Sequence, residues 1–411
     1  MPAKVAIEQW RRPSFYIAVG AMLTGLLFSR ALLSWGMVLF VILSIFHKNI
    51  PEQLNAFFAS PFLWSTSLLF AVPLISGLWS EDLSQWSQIL RIKLPLLMLP
   101  ICFAGEIHFK SKDWENVCYI FLVLMFGGIC RSLWQYAQNM NSINAAYLKA
   151  YTIETPLGND HVRFSLLVVI ATLAIVFLLA KSVKKYKRTT ASLLLILAVT
   201  NLVYLHVLAV RTGLVGFYLG IFVFVIWRLY RHKTKNLFLI VLIFLLPVVA
   251  YFIFPTFRNK IRYLKYDLSF VQKNIYVPGS SDGNRLASIR AGWELLKQQP
   301  VTGVGFGDIR NESRRFYDEK YPRMSASDKI LPSSEWMMYG SGAGWFGAVL
   351  FSLVMLAPFF IKELRTNIFW LLLNFLIGSS YLFDIGLEVQ YGVFIHAFVL
   401  LWWWKWLQLK K

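Results

Sequence analysis

The sequence is poor in charged residues, and most of the charges it has are basic. Only 15% of its 411 residues are charged, compared with about 25% in a typical soluble domain. Hydrophobic residues make up 57% of the chain. Apolar runs of this extent need a nonaqueous solvent, so the composition excludes a soluble enzyme and predicts an integral membrane protein.

The cysteines and histidines give no sign of a metal site. Cys102, Cys118 and Cys130 lie in or beside apolar runs, without CxxC spacing or a neighbouring His cluster. We interpret them as small packing residues. The His and acidic residues of the predicted outer side also lack ligand spacing. We therefore expect no metal and no cofactor.

Several other sequence signals are missing. The chain shows no internal repeat of the kind common in transporters. Residues 1–12 are polar and basic, and the apolar run after them has no Ala-x-Ala-like cleavage site. This pattern predicts a retained first span rather than a signal peptide. The glycines of residues 303–307 are not followed by the Lys-Ser/Thr of a phosphate loop.

The formal net charge of +20 has two interpretations. In a soluble protein it would point to nucleic acid. Here the basic residues fall between apolar spans instead of along one face, so we expect no nucleic-acid partner. Excess Lys and Arg in cytoplasmic loops of a membrane protein explain the charge.

The apolar runs predict an all-α polytopic membrane protein with about 12 transmembrane helices. Residues 1–254 would hold helices 1–9, residues 255–343 a large extracytoplasmic loop with short helices, and residues 344–411 helices 10–12. The run at 94–104 is short and rich in Leu and Pro, and we expect it to be kinked or re-entrant. The spans lie near 15–28, 31–46, 62–79, 94–104, 117–134, 164–180, 190–209, 213–229, 237–254, 344–361, 367–383 and 389–407.

The distribution of Lys and Arg predicts the orientation of the chain. With an even number of spans, most of the basic residues outside the long loop fall in one set of alternate loops, including the cluster at 181–188 and both termini. This set is cytoplasmic by the positive-inside rule. The large loop would then be periplasmic, in a bacterial inner membrane.

A few residues of the predicted outer side have the chemistry to bind a substrate. Arg211 stands between two long apolar runs, where an arginine either snorkels to headgroups or binds a phosphate. His161 and Arg163 lie at the outer end of the sixth span, on the same side as Arg211. They either anchor the helix at the membrane interface or contribute to substrate binding. Arg285 and Arg290 need not share a helix face, because five residues turn a helix by about 140°. Each of these two arginines is either a solvated structural charge or a ligand of the substrate.

The second half of the chain resembles the O-antigen ligase and O-antigen polymerase superfamily of bacterial envelope glycosyltransferases. The step at residues 211–213 resembles the family's Arg-containing step between two central spans. Residues 285–293, followed by residues 299–307, resemble its loop signature of an Arg, a helix, a Pro and a Gly-x-Gly-x-Gly turn.

The resemblance extends to a closing segment at residues 333–347, where Gly344 and Gly347 have the family's Gly-x-x-Gly offset. Glu388 resembles the family's penultimate Glu. The sequence departs from the family pattern at one position that matters for the chemistry. The family has a His at the start of this segment, and this chain has Ser333 there. Glu335 is the nearest candidate for a replacement base.

The resemblance implies a transfer reaction without a metal. The donor would be a glycan on an undecaprenyl-diphosphate carrier, and the acceptor would be lipid A core or another glycan, with membrane lipids around the site. Arginines can stabilise the charge on the departing diphosphate. The implied catalytic residues are Arg211, Arg285, Glu335 and Ser333, and the implied substrate-binding residues are His161, Arg163, Arg290, Trp336 and Glu388.

Other functions stay open at this point. The sequence does not separate a ligase from a polymerase or from a protein-glycosylating member of the family. A flippase of lipid-linked sugars would carry charges near mid-membrane on several spans and would show pseudo-symmetric halves. A scaffold of an envelope complex would tolerate alanine at Arg211 and Arg285.

Overall fold

A computed structural model describes residues 2–46, 49–182, 188–232, 237–273 and 275–409. Within these residues the chain is helical and contains no strand, which confirms the all-α class. The helices are α1 (Pro2–Phe28), α2 (Arg30–Ile45), α3 (Ile50–Ala59), α4 (Pro61–Ser76), α5 (Leu83–Ala104), α6 (Ser111–Gln138), α7 (Met140–Ala146), α8 (Pro156–Asn159), α9 (His161–Ser182), α10 (Arg188–Leu208), α11 (Arg211–His232), α12 (Leu237–Ile253), α13 (Pro255–Gln272), α14 (Ser281–Gln298), α15 (Ile309–Lys320), α16 (Glu335–Leu356), α17 (Ile368–Ser380), α18 (Gln390–Phe394) and α19 (Leu400–Gln408).

Helix boundaries follow ordinary capping chemistry. The Ser29 side chain accepts a hydrogen bond from the Leu32 N–H at 3.3 Å and begins α2. The Asp82 carboxylate accepts one from the Gln85 N–H at 2.9 Å and begins α5. Pro255 begins α13, at a position where its missing N–H has no intrahelical partner in any case.

The described residues include six helices that are long and apolar enough to cross a membrane. The number rises to eight if each of two bent helix pairs forms one span, and in the pair Ile240–Ile253 and Pro255–Gln272 the bend is 101°. The predicted count of twelve is therefore not confirmed, because other predicted spans fall in helices of only 10–17 residues, such as α4 and α17. The six are Leu83–Ala104, Ser111–Gln138, His161–Lys181, Arg188–Leu208, Arg211–Tyr230 and Glu335–Phe360.

One predicted span needs correction. The run expected to be kinked or re-entrant at 94–104 is the second half of a single helix, α5, which begins at Leu83 and contains Pro95 and Pro100. Lys93, which directly precedes the predicted span at 94–104, lies in the middle of this helix. Most of the predicted cytoplasmic cluster at 181–188, including Lys185, lies outside the described residues.

The chain forms two compact units. Unit 1 comprises Met1–Ile120, Asn284–Arg365 and Tyr381–Lys411, and unit 2 comprises Phe121–Gly283 and Thr366–Ser380. Unit 1 has an aromatic core in which Phe40, Phe103 and Phe398 contact one another with ring centroids 5.5–6.1 Å apart. Unit 2 is built mainly on α9, whose candidate span is 78% buried.

The segment at 255–343 contains α13, α14 and α15, and it ends where α16 breaks. The break lies at Ala343 and Gly344, where Gly344 has a φ of 64°. The Trp345 N–H donates to the Pro300 carbonyl at 2.9 Å. A Cβ on Gly344 would lie 2.5 Å from that carbonyl oxygen, and one on Gly303 would lie 2.4 Å from the Ala343 nitrogen. Only glycine allows these two backbones to approach so closely.

Candidate functional site

Arg211 is the first residue of α11, at a tight connection in unit 2. α10 ends at Leu208, and Ala209 takes a left-handed conformation with a φ of 49°. The Tyr147 hydroxyl donates to the Leu208 carbonyl at 2.9 Å and so satisfies one of the last acceptors of α10. The two-residue connection therefore places a guanidinium group at the N-terminal end of an apolar helix, where anions are stabilised.

The guanidinium of Arg211 contacts the first turn of α14. Its Nη1 forms an ion pair with the Asp282 carboxylate, and its Nη2 donates to the Ser281 hydroxyl at 3.1 Å. The Arg211 side chain is 29% exposed. The second oxygen of Asp282, Oδ2, is buried and has no hydrogen-bond partner among the described residues. The pair is partly open to its surroundings, so another anion can compete for the guanidinium.

The turn that carries Asp282 is held by α13. The buried Asp267 carboxylate accepts hydrogen bonds from the Ser280 hydroxyl and, at 2.8 Å, from the Asp282 N–H. The Tyr263 hydroxyl accepts one from the Ser281 N–H at 3.1 Å. These bonds fix the geometry of the turn independently of Arg211. The partner of Arg211 is thus preorganised.

His161 and Arg163 lie in the first turn of α9. The Asp160 carboxylate accepts a hydrogen bond from the Arg163 N–H at 3.1 Å and lies 3.4 Å from its guanidinium. The first turns of α9 and α11 lie side by side, because a Cβ on Gly213 would approach the Cβ of Ser165 to 2.6 Å. The structure therefore brings His161 and Arg163 to the same end of unit 2 as Arg211, with the Arg163 charge balanced by a neighbour.

Arg285 and Arg290 lie on α14, within unit 1. The Arg285 side chain is half-buried, whereas that of Arg290 is exposed and donates to the Tyr321 hydroxyl at 3.5 Å. The two side chains lie in different environments, as expected for residues about 140° apart around a helix.

The predicted catalytic residue Ser333 lies just before α16. It is buried, and its N–H donates to the Ser288 hydroxyl at 3.0 Å. The Ser288 hydroxyl in turn donates to the Ser333 oxygen at 2.9 Å. This reciprocal pair joins the end of the loop to α14. The catalytic role of Ser333 stays a prediction.

Glu335 is the first residue of α16, and its side chain is completely buried. One carboxylate oxygen accepts a hydrogen bond from the Leu387 N–H. The other, Oε2, has no hydrogen-bond partner in the described part of the chain. The Glu335 N–H donates to the Tyr381 carbonyl at 3.0 Å. The role of Glu335 as the base stays a prediction. Its hydrogen bond from Leu387 also connects α16 to the turn at 386–388.

Glu388 is part of a buried ion pair that the sequence analysis missed. Its Oε1 lies 2.6 Å from the Lys93 ammonium, and the two side chains are 6% and 0% exposed. The approach is off the direction of an aligned hydrogen bond, so the contact is mainly electrostatic. One signal was available in the sequence, since residues 83–104 read as a single apolar helix in which Lys93 is a deep charge.

Two aromatic side chains of these segments, Trp336 and Tyr317, have internal partners. The Trp336 indole N–H donates to the Ser352 hydroxyl at 2.9 Å, and its ring packs edge-on against Phe351. Tyr317 in α15 donates to the Ile330 carbonyl at 2.8 Å. Burial raises the pKa of the Tyr317 phenol. That phenol therefore stays protonated at neutral pH and acts as a donor that closes the loop.

Metal ligands do not cluster in the part of the chain that the structure describes. Within it, no group of three or more His, Cys, Asp or Glu side chains could hold a metal ion. The charged contacts near the predicted site residues are made by arginine, lysine and carboxylate groups.

These features define a polytopic helical membrane protein with a basic group at the end of an apolar helix. Residues 196–352 match the family model described as O-antigen ligase. This match confirms the predicted resemblance and supports membership of the chain in the O-antigen ligase/polymerase family. No curated protein matches the chain. The matched region holds Arg211, Arg285, Arg290, Ser333, Glu335 and Trp336, and leaves out Lys93, His161, Arg163 and Glu388.

Proposed function

We propose that the protein is a membrane glycosyltransferase that moves a glycan from an undecaprenyl-diphosphate carrier to lipid A core or to another sugar acceptor. The acceptor hydroxyl attacks the anomeric carbon, the bond to the diphosphate breaks, and the hydroxyl proton passes to a base. The observation that carries the proposal is the partly exposed Arg211 at the start of an apolar helix within the matched region.

Arg211 has the chemistry that a lipid diphosphate requires. Its planar guanidinium makes paired hydrogen bonds to phosphate oxygens, and the helix end adds a favourable dipole. Negative charge grows on the diphosphate as the glycosyl bond breaks, so a fixed cation stabilises the transition state more than the ground state. Arg285 is proposed as a second diphosphate ligand, with His161, Arg163 and Arg290 as weaker contributors.

The remaining roles belong to the acceptor side. Glu335 is proposed as the base that takes the hydroxyl proton, with Ser333 beside it at the position of the family histidine. Glu388 and Trp336 are proposed to shape the acceptor region, Trp336 through its aromatic face. No metal or other cofactor enters this scheme.

The direct test is a transfer assay in liposomes. Purified undecaprenyl-diphosphate glycan is offered with lipid A core, and separately with a second lipid-linked glycan, to the protein and to Arg211→Ala. Product on lipid A core that is lost in the variant indicates a ligase, and lengthened glycan on the carrier indicates a polymerase. Donor that appears on the opposite leaflet without any product would contradict the proposal and indicate a flippase.

The proposed side of the membrane predicts a labelling pattern. Single cysteines at Pro278, beside Ser280, and at Asn311 should react with a membrane-impermeant maleimide added to intact spheroplasts. A cysteine at Lys185, which lies outside the described residues, should react only after lysis. Cys130 is exposed and is first changed to serine, whereas Cys102 and Cys118 are buried. The opposite pattern would reverse the assignment of the two sides.

The Arg211–Asp282 pair predicts competition between the protein and its donor. In the resting structure the Asp282 carboxylate stands where a phosphate oxygen would bind the guanidinium. Asp282→Asn removes the competing charge while keeping the side-chain shape. We expect the donor KM to fall by up to about fivefold, which corresponds to the roughly 0.2–1 kcal/mol of a weak, partly exposed ion pair.

The control for this variant is Asp318→Asn. Asp318 lies on α15, and its carboxylate forms a different ion pair, with Lys329. It should leave the donor KM unchanged. A higher donor KM in Asp282→Asn would contradict competition and would mean that Asp282 orients Arg211 for binding.

A further inference from the structure

Unit 1 contains an ammonium group deep among its helices. Lys93 lies at the middle of α5, and its side chain is 0% exposed. A charge at this depth in an apolar helix is costly and is usually kept for a specific partner. Lys93 also lies outside the region that matches the O-antigen ligase family.

Lys93 is compensated by one carboxylate and two aromatic rings. Its Nζ lies 2.6 Å from Glu388 Oε1. The same atom lies 5.7 Å from the centroid of the Phe306 ring and 5.0 Å from that of Tyr339. Ring faces attract a cation and replace part of its lost hydration.

A second buried carboxylate lies close to this ion pair. Glu335 has a side chain that is completely buried. One of its oxygens accepts from the Leu387 N–H, next to Glu388 in the chain. Glu335 and the ion-paired Glu388 are therefore joined through one short turn. Loss of the ammonium would leave Glu388 as a buried charge without its partner, which is strongly unfavourable.

Lys93 thereby joins three motifs that are far apart in the sequence. Phe306 belongs to the Gly-rich turn at 303–307, Glu335 begins α16, and Glu388 belongs to the 3₁₀ turn Gly386–Glu388. The start of α5 is also held to the Gly-rich turn, because the Asp308 carboxylate accepts from the N–H groups of residues 81 and 82 at 2.8 and 3.0 Å.

This arrangement extends to α14, which carries Arg285. The Ser333–Ser288 hydrogen bonds connect the start of α16 to α14, one turn after Arg285. The Ser341 hydroxyl adds a bond to the Gly292 carbonyl at 3.1 Å. A shift of the start of α16 would therefore move the helix on which Arg285 stands.

We propose that Lys93 is a positioning residue of the transferase, whose ammonium holds the 3₁₀ turn Gly386–Glu388, the start of α16 and the Gly-rich turn in one arrangement. The inference rests on the proposed function. It differs from a donor-binding role, because Lys93 belongs to unit 1 and the proposed diphosphate anchor Arg211 belongs to unit 2. Loss of Lys93 should lower kcat much more than it raises the donor KM, because the contacts of Lys93 reach the helix of Arg285 but do not hold Arg211.

The test compares variants in the liposome assay and by thermal melting. Lys93→Met keeps the length of the side chain and removes its charge. Its kcat should fall about a hundredfold, the effect of a displacement of about 1 Å at a reacting group. The matched control is Arg91→Met, two residues earlier on α5 and exposed, which should keep the kcat of the unchanged protein.

Two double variants separate positioning from simple stability. Lys93→Met with Glu388→Gln removes one charge of each sign and should recover the melting temperature but not kcat. The double variant Lys93→Glu with Glu388→Lys restores an ion pair with its charges exchanged. Its kcat should be at least tenfold higher than that of Lys93→Glu alone or of Glu388→Lys alone.

Two results would overturn the inference while leaving the proposed function intact. One is an unchanged kcat in Lys93→Met, and the other is full recovery of kcat in the neutral double variant. An unchanged protein that transfers no glycan would instead overturn the proposed function, and the inference with it.

Discussion

Replacing Arg211 with lysine should lower glycan transfer by about 10²- to 10³-fold, the usual cost of removing one stabilising group from a developing oxyanion. Lysine keeps the positive charge but presents a compact ammonium, which cannot make the paired bonds of the planar guanidinium. The measurement is the initial rate of transfer in liposomes at saturating donor, with donor binding measured separately. We expect kcat to fall more than donor affinity, because charge grows on the diphosphate only as the bond breaks.

The matched control for this variant is Arg315→Lys. Arg315 lies on α15, its side chain is 69% exposed, and it pairs with Glu312 at 2.9 Å. Since an exposed pair of this kind contributes little, the control should transfer at the rate of the unchanged protein. Near-normal transfer by Arg211→Lys would show that Arg211 supplies only a charge, or that the diphosphate binds elsewhere.

Replacing Glu335 with glutamine should abolish transfer while donor binding stays intact. A general base contributes about 10²- to 10⁴-fold, and glutamine cannot accept the proton of the acceptor hydroxyl. The substitution tests the proton-accepting role specifically, because the amide oxygen of glutamine can still accept the hydrogen bond from the Leu387 N–H. The measurement pairs a single-turnover transfer rate with a binding isotherm for the lipid-linked donor.

Glu312→Gln serves as the control for the removal of a carboxylate, because Glu312 lies on α15 in an exposed ion pair. It should leave both measurements unchanged. Full activity in Glu335→Gln would assign Glu335 a purely structural role at the start of α16. The group that replaces the family histidine would then have to be sought elsewhere.

The helical class and the family resemblance could be predicted because both depend on short stretches of sequence. Long apolar runs predict helices directly, since the bilayer leaves no other way to satisfy the backbone. The helix expected in the loop signature at 285–293 is part of α14 (Ser281–Gln298). The predicted start of a span at 344 coincides with the break in α16, where Gly344 has a φ that other residues avoid.

Span number and the position of Lys93 were harder to predict, because both depend on where a helix begins. Arg91 and Lys93 lie close together before an apolar run, which looks like a loop when only hydropathy is considered. The structure begins α5 ten residues before Lys93, at the Asp82 cap. Aromatic rings and a carboxylate from distant segments then make a buried ammonium tolerable.

The partners of the candidate residues could not be predicted at all. Arg211 and Asp282 are 71 residues apart, and Ser288 and Ser333 are 45 residues apart. Such pairs follow from how helices pack, and nothing in the local spacing indicates them. The predicted roles of Arg285, Arg290, His161 and Trp336 in binding stay predictions.

The helical class, the membrane setting and the family resemblance all follow from the sequence alone. These properties depend on the apolar content of contiguous segments and on short motifs around Arg211, the Gly-rich turn and Gly344. The packing of helices brings Asp282 to Arg211 and Glu388 to Lys93, and the local sequence does not indicate either pair. A buried charge is stable only beside a compensating group, and in a folded chain that group usually comes from a distant segment.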